Sequence, residues 1–491
     1  MNFPHSLNHY KENHMTAKPT RKVVTRNVAI AGAITALSLL LSPAMAMATP
    51  TSPTDVADTT LMVTDLLPGD TVSAFRIADA DIDASRNLTY TMAPGLPEAY
   101  DTIDEIAAVA SDGTAFNQGS AMQAAASAIA AVLVSPDLTQ VSAGDSVGLQ
   151  LGSGYYLVRV TSTNGTTRVY QNMIIDASPE VINGDYAPRQ IAPIAVKKTE
   201  VAIDKGVGPQ YGAKTDQYSV GDMVPFRVTT AVPSYPADAK DATFIVEDTP
   251  TAGLEIDTTS IMINGAAAQS GVDYTLTATA NGYEFRFAKA WVLAHPGDPV
   301  QITYNAKVTD AAFSRSADDV TGNTATITFN PNPYDSATAM SSDKATVQTY
   351  GYVFKKTTPD GDPLAGAVFT ITLANGTQVT STSGQDGYVY FEDLGAGQYT
   401  AVETTVPAGY RKVADQVFEL GGAVAVADNP ATAGVVENNY LVAQADVVDP
   451  AQPVLPATGG SGALLLSGAG TFLLVIGAAL GVSARRRRLR V

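Results

Sequence analysis

The sequence predicts a mostly β protein: three tandem β-sandwich domains, the first with some helix, preceded by a signal peptide and followed by a membrane-spanning helix. Three observations point there. Short runs alternate apolar and polar residues, as half-buried strands do. Asn-Gly pairs at 164–165, 264–265, 281–282 and 375–376 fall between such runs and favour tight turns. Long apolar stretches stand near both ends, each beside a basic cluster. A chain of 491 residues has room for roughly three or four domains.

The elements follow in order. Lys18, Arg21, Lys22 and Arg26 precede "VAIAGAITALSLLLS" and "AMAMA". That order of charge, apolar core and small residues is a secretory signal, with cleavage after Ala46 or Ala48. Residues 1–48 are taken as the leader. Residues 49–195 form the first domain, where "YYLVRVTSTNGTTRVYQNMII" reads as a hairpin and "AMQAAASAIAAVLV" (121–134) as a helix packed on a sheet. Residues 196–348 contain the strand-like runs "DMVPFRVTTAV", "PVQITYNAKV" and "NTATITF". Residues 349–443 contain "AGAVFTITLANGTQV" and "GYVYFEDL". Residues 444–454, with Pro450 and Pro453, read as a linker. Residues 455–491 close the chain. Positions 463–482 are 20 apolar or small residues, enough to span a bilayer, and Arg485–Arg488 would stay cytoplasmic.

Composition excludes several functions. There is no cysteine, so disulfides, thiolate metal sites and cysteine nucleophiles are absent. Of the four histidines only His295 lies outside the leader, a poor basis for histidine acid–base chemistry or a metal site. Neither metal nor cofactor is expected. Removing the leader and everything after Thr458 leaves 20 basic against 47 acidic residues, a net charge of −27. Such a surface repels nucleic acid and suits a solvated extracellular protein.

Lysine is distributed unevenly. None occurs between Lys22 and Lys197, and then Lys197, Lys198 and Lys205 come together. Strand alternation puts Val201, Ile203, Lys205 and Val207 on one face. Phe244, Val246 and Asp248 share a face, as do Asn323, Ala325, Ile327 and Phe329. An amine, an acid and an amide thus point into one core. The last domain repeats the plan. Tyr350, Tyr352, Phe354 and Lys356 share a face, as do Tyr399, Ala401 and Glu403, and Val436, Asn438 and Tyr440. The opposite face of that last run, with Asn439, is almost as apolar, so Asn438 and Asn439 both stand. Desolvation lowers a lysine pKa and raises a carboxyl pKa. A neutral amine can then attack an amide carbon polarised by a protonated acid, releasing ammonia and leaving an isopeptide bond. The competing reading is lysines that reach the rim and pair with acids there.

Motifs carry a resemblance. "LPATG", Leu455, Pro456, Ala457, Thr458 and Gly459, matches the LPxTG cell-wall sorting signal of Gram-positive surface proteins, with apolar span and basic tail in that family's order. "FKKTTPDGDPLAGAVFTI" and "YTAVETTVPAGY" resemble the prealbumin-like (CNA-B type) domain of Gram-positive pilins. The second matches the pilin E-box at Tyr399, Glu403, Thr404, Pro407, Gly409 and Tyr410; Ala401 and Val406 depart from it. "AIDKGV", "VEDTPTAGLEI" and "GNTATITFNPNP" resemble the isopeptide-forming middle domain of those pilins.

The resemblance implies Ig-like and CNA-B-type sandwiches with two isopeptide bonds. One would join Lys205 to Asn323 with Asp248 as promoting acid. The other would join Lys356 to Asn438 (or Asn439) with Glu403. Each would tie the first strand of its domain to the last. It also implies a sortase that cleaves between Thr458 and Gly459 and passes the threonine carboxyl to an exposed lysine at the junction of the first two domains. Lys197 and Lys198 stand there, without the Tyr-Pro that precedes the lysine in pilins; parity favours Lys197 as the solvated one. The implied protein is a non-enzymatic pilus shaft subunit, secreted and wall-anchored, supporting adhesion. Its partners would be pilus and housekeeping sortases, identical subunits, peptidoglycan, minor pilins and host surface ligands. A monomeric wall-anchored adhesin with the same domains is the alternative.

Overall fold

The computed structural model describes residues 56–110, 120–162, 166–313, 320–421, 440–443 and 445–453. The leader, the Asn164-Gly165 turn, Asn438, Asn439, the LPATG motif and the 463–482 span lie outside the described residues. Among the described residues no helix is long and apolar enough to cross a membrane.

The first region is organised by one long strand, Thr71–Ile82. Val72 and Ala74 face a core with Leu61, Val63, Tyr156 and Val158, while Phe75 and Ile77 face a second core with Ile106, Ala126, Ile129 and Leu157. The strand pairs with Gly154–Thr161, and a bulge interrupts the register between Arg76 and Ala78. The helix packed on the second core runs Ala121–Ala130, capped where the Ser120 side chain accepts from the Gln123 N–H. It ends earlier than the apolar run suggests. Val132 and Val134 are exposed, and β-branched residues ahead of Pro136 disfavour another helical turn.

The middle domain is a two-layer sandwich. One sheet orders the strands Ile203–Val207, Met223–Ala231, Pro299–Val308, Leu254–Ile263 and Ala266–Ala267. The facing sheet orders Thr215–Gln217, Ala339–Gln348, Gly322–Phe329, Phe244–Pro250, Tyr283–Phe287 and Tyr274–Ala278. Asn264 and Gly265 both take positive φ, 47° and 80°, so this Asn-Gly pair makes the type I′ turn expected of it. The last domain packs Tyr388–Leu394, Tyr350–Thr357 and Tyr440–Val442 against Gln378–Thr382, Val368–Thr372, Gly397–Thr405 and Gln416–Leu420. A two-residue strand, Val447–Val448, also pairs in parallel with Tyr350–Thr357.

The junctions are built. Lys198–Glu200 pairs antiparallel with Arg168–Tyr170 of the first region. The Arg159 guanidinium lies 3.9 Å from the Tyr334 ring centroid, 4.8 Å from that of Phe75, and 3.5 Å from Asp238 Oδ2. Asn172 Nδ2 donates to Asp238 Oδ1 at 3.1 Å. Between the second and third domains, the Gly395 N–H donates to Ser219 Oγ and Asn375 Nδ2 to Asp222 Oδ1, at 2.8 and 2.7 Å.

Burial raises the Asp238 pKa, and Arg159 opposes that rise. Replacing Arg159 by Met leaves a buried acid without its cation, which costs about 3 kcal/mol. Because an acid with a raised folded-state pKa is destabilising when ionised, the loss is full at neutral pH and shrinks as pH falls and Asp238 takes a proton. Thermal unfolding of R159M and the parent at neutral and mildly acidic pH checks this; an equal deficit at both contradicts it.

Candidate functional site

Strand alternation delivers the middle-domain residues to one place. Lys205, Asp248 and Asn323 are each 0% exposed. Lys205 comes from one sheet, while Asp248 and Asn323 come from adjacent strands of the other. Gly282 lets its strand close onto that of Asp248, since a Cβ there would stand 1.9 Å from the Asp248 carbonyl oxygen.

The groups converge on a residue that sequence reasoning missed. Lys205 Nζ donates to Asp248 Oδ2 at 2.5 Å and to the Tyr304 hydroxyl at 2.6 Å. Asn323 Nδ2 donates to the same hydroxyl at 2.7 Å, and that hydroxyl donates to Asp248 Oδ2 at 2.9 Å. Tyr283 also donates to Asp248 Oδ2, at 3.2 Å. The Tyr304 oxygen therefore joins amine, amide and carboxylate. Its signal was present: in "ITYNAKV" Tyr304 shares the apolar face of Ile302, Ala306 and Val308, and a buried phenol needs a polar partner.

The electrostatics follow from dryness. Burial lowers the Lys205 pKa, against the pull of Asp248. Burial also holds the Tyr283 and Tyr304 hydroxyls well above their ordinary pKa, with the Asp248 charge adding to it. Both phenols therefore stay protonated donors. Asp248 Oδ1 and Asn323 Oδ1 are buried and have no hydrogen-bond partner among the described residues. Two orphaned acceptors in one dry site are costly.

In the last domain Lys356 is 0% exposed and Glu403 2%. The Val413 N–H donates to Glu403 Oε2 at 2.9 Å. Burial pushes the Glu403 carboxyl above its usual pKa; the Asp449 carboxyl adds to the rise, while the Val413 bond and Lys356 oppose it. The expected amides, Asn438 and Asn439, lie outside the described residues. What meets Lys356 is Asp449, whose Oδ1 is 2.5 Å from the amine. Asp449 falls in the stretch read as a linker, of which Val447–Val448 is paired as a strand.

The E-box residues make contacts within the domain and, at one turn, to this tail. The Tyr399 hydroxyl donates to the Gly395 carbonyl at 2.9 Å and contacts Ser219 Oγ at 3.1 Å. Thr404 Oγ1 donates to the Val368 carbonyl at 3.2 Å. The Tyr410 N–H closes a turn on the Pro407 carbonyl at 3.2 Å, with Gly409 at φ 89°. The Gly409 carbonyl accepts from the Gln452 N–H, and the Arg411 N–H donates to the Pro450 carbonyl.

Both junction lysines are half-buried, so alternation does not leave one of them open and the other closed. Lys198 Nζ is 2.6 Å from Asp65 Oδ1 and 3.9 Å from Glu200 Oε1. Burial alone lowers the Lys197 pKa, and its carbonyl accepts from the Gln171 N–H.

Comparisons with known proteins agree with this architecture. Residues 351–430 match the prealbumin-like fold domain family (SpaA), and residues 448–488 match the LPXTG cell wall anchor motif. Among solved structures, the T6 backbone pilin of serotype M6 Streptococcus pyogenes, described as a modular three-domain structure, superposes with a TM-score of 0.60. The match covers 82% of this chain and 100% of that one, at 16% identity. The full-length major pilin SpaD of Corynebacterium diphtheriae covers 82% of this chain and 98% of its own, at 16% identity and a TM-score of 0.49. No curated protein sequence matches the chain. Anchor motif and fold together define a cell-wall-anchored surface protein with the modular fold of a backbone pilin.

Replacing Tyr304 by Phe removes the hydroxyl that holds amine and amide together and leaves the ring packing intact. Any bond formation between Lys205 and Asn323 should slow about 10- to 100-fold, the worth of a hydrogen bond to a charged group. Time-resolved intact mass after synthesis measures it; an unchanged rate removes Tyr304 from the site.

Proposed function

We propose that this chain is the shaft subunit of a sortase-assembled pilus, self-crosslinked inside its domains and joined to its neighbours through Thr458. The observation that carries the reading is the dry cluster of Lys205, Asp248, Asn323 and Tyr304, in a chain that ends in a cell wall anchor motif. A buried ammonium is costly, and conversion to an amide removes that cost.

In the proposed reaction neutral Lys205 attacks Asn323 Cγ. Protonated Asp248 donates to the Asn323 carbonyl oxygen, which otherwise lacks a donor, and Tyr304 holds amine and amide in reach. A C–N bond forms, the Cγ–Nδ2 bond breaks, and the proton lost by Nζ reaches the leaving ammonia through Asp248. The bond would tie the first strand of the middle domain to Gly322–Phe329, the next to last, because Ala339–Gln348 follows it. The exit strand lies beside the bond, with Asn323 opposite Ala345. By the loop-entropy account of crosslinks the gain is about 3–5 kcal/mol, and resistance to heat, protease and tension is the larger benefit.

Between subunits, sortase would cleave between Thr458 and Gly459 and transfer the threonine carboxyl to Lys197 or Lys198. A first region without lysine beyond the leader offers no competing amine. Housekeeping sortase would attach the finished polymer to peptidoglycan, with minor pilins and host surface ligands as further partners. The chain is then a sortase substrate that acts once on itself, not a turnover enzyme.

Boiled wall extracts should show a high-mass ladder; a single band near the subunit mass would favour the monomeric adhesin. Lys197→Arg and Lys198→Arg, made separately, should collapse the ladder in one case and spare it in the other. A ladder that survives the double variant sinks the junction-acceptor assignment. Lys205→Ala should gain back about 17 Da, the ammonia otherwise lost, and lower the melting temperature.

A further inference from the structure

Lys356 has a reaction partner in reach that the motif comparison does not assign. We propose that Lys356 condenses with Asp449, with Glu403 as the proton-transferring acid, so that the last domain closes by loss of water rather than ammonia. The inference rests on the self-crosslinking reading of the domains but not on polymerisation.

The geometry is specific. Lys356 and Asp449 are both 0% exposed, with Nζ and Oδ1 2.5 Å apart. The pair is positioned by backbone, not by side-chain chance. Lys356 stands opposite Val447 and Thr357 opposite Val448 in a parallel ladder. The Asp449 N–H donates to the Thr357 carbonyl at 3.1 Å. Lys356 Nζ also donates to the Val447 carbonyl at 3.2 Å. Beyond Asp449, the E-box turn clasps Pro450 and Gln452 through Arg411 and Gly409. Strand register on one side and the E-box turn on the other therefore hold Asp449 against the amine.

The third group fits the chemistry. Glu403 is 2% exposed and faces Asp449 closely enough to interact with it. One ammonium and two carboxylates in a dry site would carry a net negative charge. A proton on Glu403, whose pKa burial raises, removes that charge, and condensation then replaces the remaining ion pair by a neutral amide.

The step balances. Glu403 starts protonated, and proton transfer within the Lys356–Asp449 pair gives amine and carboxylic acid. Lys356 Nζ attacks Asp449 Cγ, a C–N bond forms, and the unprotonated oxygen of Glu403 takes the Nζ proton. Glu403 gives its own proton to the departing hydroxyl, the Cγ–O bond breaks, and water leaves, so Glu403 ends neutral as it began. The product is a neutral secondary amide beside a neutral Glu403, and no oxidant or co-reactant is needed.

The two carbonyl sources differ in mass and position. Mature protein released from the wall is digested, and the branched peptide containing Lys356 is sequenced by tandem mass spectrometry. The expected branch runs from 356 to 449 and is lighter than its two peptides by about 18 Da. Asp449→Asn should keep the branch with a loss of about 17 Da, and Asp449→Ala and Glu403→Gln should abolish it. Replacing Asn438 and Asn439 together by Ala should leave it untouched. A branch from Lys356 to 438 or 439 overturns the proposal, and so does an unmodified Lys356. The wild-type digest decides even if a variant does not fold. It also contains the Lys205 peptide: Lys205 linked with Lys356 free defeats this inference alone, whereas both free defeats self-crosslinking in general.

Discussion

The structure depends on how two sandwich cores accommodate a lysine amine. Lys205 and Lys356 are among the largest fully buried side chains of the described residues, in company otherwise made of aromatic rings. An ammonium there must be paired, neutralised or consumed. Each amine meets a carboxyl from a distant segment, Asp248 in a strand and Asp449 just after one, and each of those carboxyls is itself buried. Much of the surrounding architecture follows. Facing sheets bring the partners together, glycine at 282 permits close approach, and phenols supply donors that the apolar walls cannot.

The two sites use different supports. In the middle domain the support is a side-chain network, because Tyr304 touches amine, carboxylate and amide alike. In the last domain it is backbone: a parallel two-residue ladder and a turn that holds the tail. The E-box accordingly has two tasks here. Glu403 faces the site, and the turn at Pro407–Tyr410 fixes the segment that carries Asp449. The same turn thereby holds the first residues of the stretch that matches the cell wall anchor motif.

Charge on the rest of the surface is arranged around the same economy of lysine. The first region contains none in its described part, and a cation of its own at the junction with the middle domain is Arg159, set against two rings and a buried acid. Arginine keeps its proton and is a poor nucleophile, so it serves ion pairs without offering an amine. Lys198 is paired with Asp65, while burial lowers the Lys197 pKa.

Much of this was legible in the chain alone. Period-two alternation placed Lys205, Asp248, Asn323, Lys356 and Glu403 on apolar faces, and all five are buried. It worked because a strand with one buried face cannot slip by a single residue without exposing its whole apolar set. Asn264-Gly265 announced its turn because few other residue pairs adopt two positive φ angles. The helix ends before the apolar run does because Val132, Val134 and the following Pro136 disfavour another turn, which apolar composition alone does not register. Tyr304 and Asp449 were not legible as members of the sites. Alternation says which face a side chain takes but not which distant strand it meets. The sequence determined that these cores contain amines and acids. Only the tertiary structure decided which oxygen lies against which nitrogen, because that depends on the registry of strands far apart in the chain, set by packing rather than by any local pattern.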